Sequence, residues 1–138
     1  MINSFKTLAW VIFEFVLIFI LLSMPGSDIQ GTSWISFILH LPFADKVIHM
    51  GLFGSLALSI FFHFEQYLNI SFRSIRTKAV TLIACILYGI GMEFYQKYFV
   101  PSRSLDVIDM IADAMGALLA LPFFNMVKYY IQPKAKSL

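Results

Sequence analysis

Four long apolar stretches fill most of this 138-residue chain, and each is long enough to cross a lipid bilayer. Only 13% of the residues are charged and 59% are hydrophobic, which leaves too little charge to cover a soluble domain of this size. Lipid is therefore the solvent that the sequence matches. We predict an integral membrane protein of the all-α class, a four-helix bundle formed by a single domain over residues 1–138.

The apolar stretches and the breaks between them set the predicted helix bounds. Helices are expected at about residues 5–24, 45–66, 79–99 and 104–127. Pro25-Gly26 ends the first helix and Pro101 ends the third, because proline and the residue before it leave the helical region. Ser104 is expected to cap the fourth helix.

Two apolar segments near the beginning of the chain differ in length. The first apolar stretch exceeds the roughly 7–15 residues of a signal-peptide core, so it is interpreted as a retained helix. The apolar segment at 34–39 begins with Trp34 and is too short to span the membrane. This pattern favours a short interfacial or re-entrant helix between the first two spanning helices.

Lysine and arginine are concentrated in two segments, the connection between the second and third helices and the tail after the fourth, with three in each. Basic flanks stay in the cytoplasm, and an even number of crossings puts both termini on one side. We predict a multi-pass protein of the bacterial cell membrane with both termini cytoplasmic. The net charge of +2 does not indicate a nucleic acid partner, and the single Cys85 excludes an internal disulfide.

Ionisable side chains are costly inside a membrane, and here they gather at one end of the predicted helices. Together with the amide of Gln96, they belong to the outer ends of three helices and to the turn between the last two: Asp45, Lys46, His49, Glu93, Arg103, Asp106, Asp109 and Asp113. Helical spacing puts those of each helix on one face. With a rise of about 1.5 Å per residue, Glu93 and Asp113 are expected to be near neighbours in depth and to form the floor of a polar pocket open to the outside.

The same residues resemble the VanZ-like family, which is named for a teicoplanin-resistance protein of glycopeptide-resistant bacteria. The motifs are Asp45-Lys46-x-x-His49, Glu93-x-x-Gln96, and Arg103 followed by Asp109, position 113 and Gly116. The resemblance covers about residues 8–127 and implies a membrane architecture and a link to glycopeptide tolerance. At position 113 the family more usually has Asn, so the role of Asp113 is not transferred.

An excess of carboxylates over cations allows an enzymatic interpretation. Five carboxylates in a partly desolvated site cannot all stay ionised unless arginine, protonation or a bound cation compensates them. His49, Asp109 and Asp113 are candidate ligands of a divalent cation, with His49, Glu93 and Asp109 as candidate catalytic groups. The substrate would be a lipid-linked phosphate of the cell envelope. The residues predicted to bind it are Asp45, Lys46, Gln96, Arg103 and Asp106.

Two other interpretations use the same residues without catalysis. The cluster could recognise a membrane lipid, an antibiotic or a membrane partner, as a binding or scaffold protein would. It could also be a satisfied polar network that holds three helices together. A transporter is less favoured, because four short helices enclose little space and the sequence contains no internal repeat.

Overall fold

The computed structural model of the chain describes residues 4–25, 43–67 and 75–131. Within these ranges the chain forms only α-helices: α1 (Ser4–Ser23), α2 (Ala44–Tyr67), α3 (Ile75–Phe99) and α4 (Val107–Ile131). All four are long and apolar enough to cross a membrane. The prediction of an all-α, four-helix membrane bundle is confirmed, while the predicted segment at 34–39 lies outside the described residues.

Two of the predicted helix starts were wrong. Helix α3 begins at Ile75 rather than 79, because Arg76 and Lys78 are good helix formers whose long side chains can extend to the membrane surface. Helix α4 begins at Val107, and its cap is Asp106 instead of Ser104. The Asp106 Oδ1 accepts a hydrogen bond from the backbone N–H of Ile108 at 2.8 Å, which is the usual contact of an N-cap residue.

Helix α2 is the central element of the bundle. It packs most extensively against α4 and also contacts α1 and α3. Its buried aromatic side chains Phe53 and Phe61 belong to the hydrophobic core, together with Phe124 of α4. Large apolar side chains also cover the outer surface, as Trp10 does on α1, because lipid surrounds the bundle.

The closest helix approach joins α2 to α4. A Cβ built on Gly116 would lie only 2.1 Å from the backbone oxygen of Met50, and a Cβ on Gly54 would lie 3.1 Å from the backbone oxygen of Gly116. Membrane helices approach this closely where small residues line the interface. His49 precedes Met50 in α2, and Asp113 lies one turn before Gly116 in α4. The contact between Met50 and Gly116 therefore places the His49 ring against Asp113.

Replacing Gly116 with alanine should therefore separate α2 from α4. We expect Gly116→Ala to lower the free energy of unfolding by about 1–3 kcal/mol, the usual cost of overpacking. Gly91→Ala is the matched control, because a Cβ on Gly91 would meet nothing within 4 Å and alanine has the better helix propensity. Unfolding of the purified protein in micelles with a denaturing detergent measures both. Equal stabilities of the two variants would contradict the close contact.

Candidate functional site

Seven ionisable residues from the ends of α2, α3 and α4 meet at one end of the bundle. This polar cluster consists of Asp45, Lys46, His49, Glu93, Asp106, Asp109 and Asp113. The side chains of His49, Glu93, Asp109 and Asp113 are buried, with at most 3% of each residue exposed. Asp45, Lys46 and Asp106 are partly exposed at the rim. Charged side chains are rarely buried without partners.

Lys46 bridges the start of α2 to the start of α4. Its Nζ lies 2.7 Å from Asp106 Oδ2 and 2.8 Å from Asp109 Oδ1, and 3.4 Å from Asp45 Oδ2. The contacts to Asp106 and Asp45 are hydrogen bonds, and the contact to Asp109 is an ion pair. Lys46 therefore compensates part of the negative charge and joins two helices.

His49 and Asp113 form the floor of the polar cluster. The Nδ1 of His49 lies 2.9 Å from Asp113 Oδ1, and both side chains are 1% exposed. The other ring nitrogen, Nε2, has no hydrogen-bond partner and lies 4.0 Å from Asp45 Oδ1. Asp113 fits because Gly89 has no side chain, since a Cβ there would lie 2.7 Å from Asp113 Oδ2.

Glu93 lies nearer the end of the bundle than predicted. Its Oε2 accepts a hydrogen bond from the backbone N–H of Asp106 at 2.9 Å, because the first N–H groups of a helix lack intrahelical partners. Asp113 is instead level with Gly89, one turn deeper along α3. The prediction that Glu93 and Asp113 form one floor was wrong. The Oε1 of Glu93 is buried and has no hydrogen-bond partner.

Gln96 and Arg103 lie outside this set of contacts. Gln96 is buried, and its Nε2 donates to the backbone oxygen of Leu22 at 3.0 Å, which ties α3 to the end of α1. Arg103 follows Ser102, whose φ of 63° marks the turn after α3. The Nε of Arg103 is buried without a hydrogen-bond partner. Of the residues described by the structure, none forms an ion pair with the Arg103 guanidinium.

Three ligand atoms in the polar cluster are spaced for a metal ion. Asp45, His49 and Asp109 each offer one atom, and these atoms lie within 4.8 Å of one another. The predicted set had Asp113 in place of Asp45, but Oδ1 of Asp113 is hydrogen-bonded to His49 Nδ1. Histidines that bind metals usually donate their second ring N–H to a carboxylate. The residues present therefore fit a cation bound at Nε2 of His49, with Asp113 orienting the ring.

Comparison with known protein families identifies the class of protein to which the chain belongs. A family model described as VanZ/LLP1 matches residues 5–128. The chain therefore belongs to the VanZ/LLP1 family of proteins, which confirms the resemblance inferred from its motifs, and its four candidate spans make it a multi-pass membrane protein.

One curated relative comes from a eukaryote. An uncharacterized protein of Schizosaccharomyces pombe is 34% identical to the chain over 84 residues. The match covers 60% of this chain and 48% of the relative, so it spans about half of the relative's length. No solved structure matches the chain.

The rim of the polar cluster should give stability a defined pH dependence. The hydrogen bond from Lys46 to Asp106, which lies just before the spanning part of α4, lowers the pKa of that carboxyl below its ordinary 3.8. A carboxyl whose folded-state pKa is lowered adds stability above its unfolded pKa, and that stability is lost as pH falls through the folded pKa.

We therefore expect the wild type to lose more thermal stability than Asp106→Asn when the pH is lowered from 6 to about 3. Asparagine keeps the helix cap but cannot be ionised. Melting temperatures of both proteins in detergent, recorded across this pH range, measure the difference. Parallel pH profiles would show that the ion pair with Lys46 adds nothing to stability.

Proposed function

We propose that the polar cluster binds a divalent cation and acts on a lipid-linked phosphate at the outer face of the membrane. The topology that goes with this proposal has both termini in the cytoplasm. The buried, unpaired Nε2 of His49 beside two carboxylates is the observation that carries the proposal.

The hydrogen bond to Asp113 determines which nitrogen of His49 is available. In this proposal Asp113 is ionised and accepts a hydrogen bond from Nδ1 of a neutral His49, which leaves the Nε2 lone pair for the cation. A buried lone pair without a donor costs free energy unless a ligand uses it. Asp45 and Asp109 lie close enough to complete a three-ligand set with oxygen donors. Mixed nitrogen and oxygen donors suit Zn²⁺ or Mn²⁺.

The charge balance of the polar cluster supports the same conclusion. Asp45, Asp106 and Asp109 share the single ammonium group of Lys46. Glu93 and Asp113 add two more carboxyl groups, each with one buried oxygen that lacks a hydrogen-bond partner. Negative charge buried in excess of positive charge is unfavourable, and a divalent cation would compensate it.

The residues around the cation site have separate tasks in this proposal. When bound, a divalent cation acts as a Lewis acid towards a phosphoryl oxygen and activates water. Arg103 would bind the phosphate through its planar guanidinium group, which has no partner in the described ranges. Glu93 would accept a proton at its unpaired Oε1. Asp113 would hold the His49 ring in place.

A non-enzymatic function is the second candidate. The hydrogen bond from Gln96 to Leu22 and that from Asp106 to Glu93 join helices directly, as recognition and scaffold proteins also require. In this case the same residues would recognise a lipid, an antibiotic or a membrane partner in a bacterial envelope. The proposed link to teicoplanin tolerance rests on family membership and would then need no turnover.

Metal binding by the purified full chain in lipid nanodiscs separates the two candidates. We expect the wild type to bind Zn²⁺ or Mn²⁺ and to release phosphate from a polyprenyl diphosphate, and His49→Gln to abolish both. His63→Gln is the matched control, because His63 lies at the other end of α2 and its Nδ1 is hydrogen-bonded to Thr7. Titration calorimetry and phosphate release are the measurements. A wild type that binds neither metal would exclude the enzymatic proposal.

Asp113 should act through His49 rather than as a metal ligand. Removing the group that orients a metal-binding histidine usually costs about 10–100-fold in affinity. We expect a loss in this range for Asp113→Ala and a smaller one for Asp113→Asn, because the asparagine oxygen can still accept from Nδ1. Calorimetric metal affinity measures both variants. If Asp113→Asn abolished binding while Asp45→Asn had no effect, Asp113 would be a ligand itself.

A further inference from the structure

Lys46 contacts two of the carboxylates that the proposed cation would also need. Its Nζ lies 3.4 Å from Asp45 Oδ2 and 2.8 Å from Asp109 Oδ1. Asp45 and Asp109 are two of the three residues that offer ligand atoms for a metal ion. Two cations that face the same pair of carboxylates repel each other, most strongly where little water screens them, and the Asp109 side chain is only 5% exposed. We therefore expect the ammonium group and a bound cation to compete for these two residues.

Asp106 offers the ammonium group a position that the cation does not use. It is the third carboxylate in contact with Lys46 and is not one of the three residues spaced for a metal ion. Its Oδ2 accepts a hydrogen bond from Lys46 Nζ at 2.7 Å, while its Oδ1 accepts one from the backbone N–H of Ile108. The second hydrogen bond fixes the carboxylate at the start of α4, so Asp106 can stay in place when the ammonium group moves.

The Lys46 side chain is suited to this movement. A lysine ammonium group is a compact charge on a flexible stem of four carbons. Because Nζ already contacts Asp106, it has to leave only the other two carboxylates, and no helix has to shift. The side chains of Lys46 and Asp106 are 21% and 37% exposed, so the movement leads from the buried Asp109 towards the rim of the polar cluster.

The turn before α4 carries a second positive charge. Arg103 lies three residues before Asp106, and its guanidinium group forms no ion pair with any residue in the described ranges. Arginine binds phosphate through two parallel hydrogen bonds, and lysine binds it as a point charge. While Lys46 is shared among three carboxylates, its charge is largely balanced and attracts phosphate only weakly. Held by Asp106 alone, it would attract phosphate more strongly.

We propose that a divalent cation at Asp45, His49 and Asp109 displaces the Lys46 ammonium group towards Asp106, where it binds phosphate together with Arg103. The inference rests on the proposed function, because it requires both the cation and the phosphate. It adds an order of binding: the cation completes the phosphate site, so each ligand raises the affinity for the other. The alternative is that Lys46 is a permanent counter-ion that joins α2 to α4 and takes no part in binding.

Calorimetry on the full chain in nanodiscs measures this coupling, with empty nanodiscs as the blank. Zn²⁺ and Mn²⁺ are titrated separately, each with and without a short, water-soluble alkyl phosphate. The ratio of the two metal affinities is the coupling factor, and the metal must change the phosphate affinity by the same factor. We expect a factor in the usual range of about 5–150 for the wild type. A wild type that binds metal equally well with and without the phosphate would overturn the inference.

Removing the ammonium group should have two effects. We expect Lys46→Gln and Lys46→Met to bind the metal more tightly than the wild type, because a competing cation is lost. The coupling factor should fall at least about fivefold, the lower end of the usual range, because the phosphate no longer gains an ammonium group. Glutamine keeps a hydrogen-bond donor for Asp106, so it preserves the link between α2 and α4 if Lys46→Met does not fold.

Lys128→Gln is the matched control for the lysine variants. Lys128 is also partly exposed and also pairs with a carboxylate, that of Glu65, at the other end of α2 and α4. We expect Lys128→Gln to leave both the metal affinity and the coupling factor unchanged. Changes as large as those of Lys46→Gln would show a general effect of charge and overturn the inference.

Asp106→Asn tests the second position of the ammonium group. Without the Asp106 carboxylate, Lys46 stays with Asp45 and Asp109, so the metal affinity should fall. The fall should be smaller in the Lys46→Gln background, because the effect acts through Lys46. Equal losses in the two backgrounds would show that Asp106 acts independently of Lys46 and would overturn the inference.

The failures of the two proposals are distinguishable. The metal affinity of the wild type tests the proposed function, whereas the difference between the wild type and the Lys46 variants tests the inference. If the wild type binds metal and the Lys46 variants keep its coupling factor, Lys46 is a permanent counter-ion and the proposed function stands. This holds even if they bind metal more tightly, because the loss of a nearby positive charge alone has that effect. A wild type that binds neither metal would overturn both proposals.

Discussion

The contact between Gly116 and the backbone of Met50 determines how the rest of the bundle is arranged. Because Gly54 and Gly116 have no side chains, the backbones of α2 and α4 come into close contact. His49 lies one residue before Met50 on α2, and Asp113 lies one turn before Gly116 on α4. The approach therefore brings the His49 ring against Asp113. The polar floor is thus a consequence of one close helix crossing.

Above this crossing, the polar cluster joins the helices and also leaves buried polar atoms without partners. Lys46 joins α2 to α4, Glu93 joins α3 to the start of α4, and the bonds that they form hold the helices together. These bonds also leave specific atoms unused, above all Nε2 of His49. A polar network that only stabilised the bundle would be expected to use its buried acceptors. Rigid helix joining is, moreover, what a metal site needs to keep its ligands at fixed distances.

The surroundings of Asp113 show how a buried carboxyl group is accommodated between the helices. A carboxyl group at the floor needs space and a hydrogen-bond partner; Gly89 leaves the space, and Nδ1 of His49 is the partner. An asparagine at this position could accept the same hydrogen bond. Asp113 can therefore affect the polar cluster through His49 without coordinating a cation itself. Its effect on His49 decides which ring nitrogen faces Asp45 and Asp109.

The sequence alone determined the class of fold and the set of polar residues. Each apolar stretch must hydrogen-bond its own backbone in lipid, so it becomes a helix whatever its neighbours are. The cost of ionisable groups in the membrane likewise marked Asp45, His49, Glu93 and Asp109 before any contact was known. The turn signal at Pro101 also ended α3 near the observed Phe99, because proline acts on local backbone geometry.

Only the tertiary structure decided how these residues pair. Counting residues from helix ends placed Glu93 level with Asp113, but the free N–H of Asp106 attracts the Glu93 carboxylate, and Gly89 receives Asp113. The contact of Gln96 with the end of α1 and the addition of Asp109 to the pair formed by Asp45 and His49 also had no signal in spacing. Spacing along a helix reports which residues share a face. The depth at which two faces meet depends on close packing between helices, here on the absence of a side chain at Gly116.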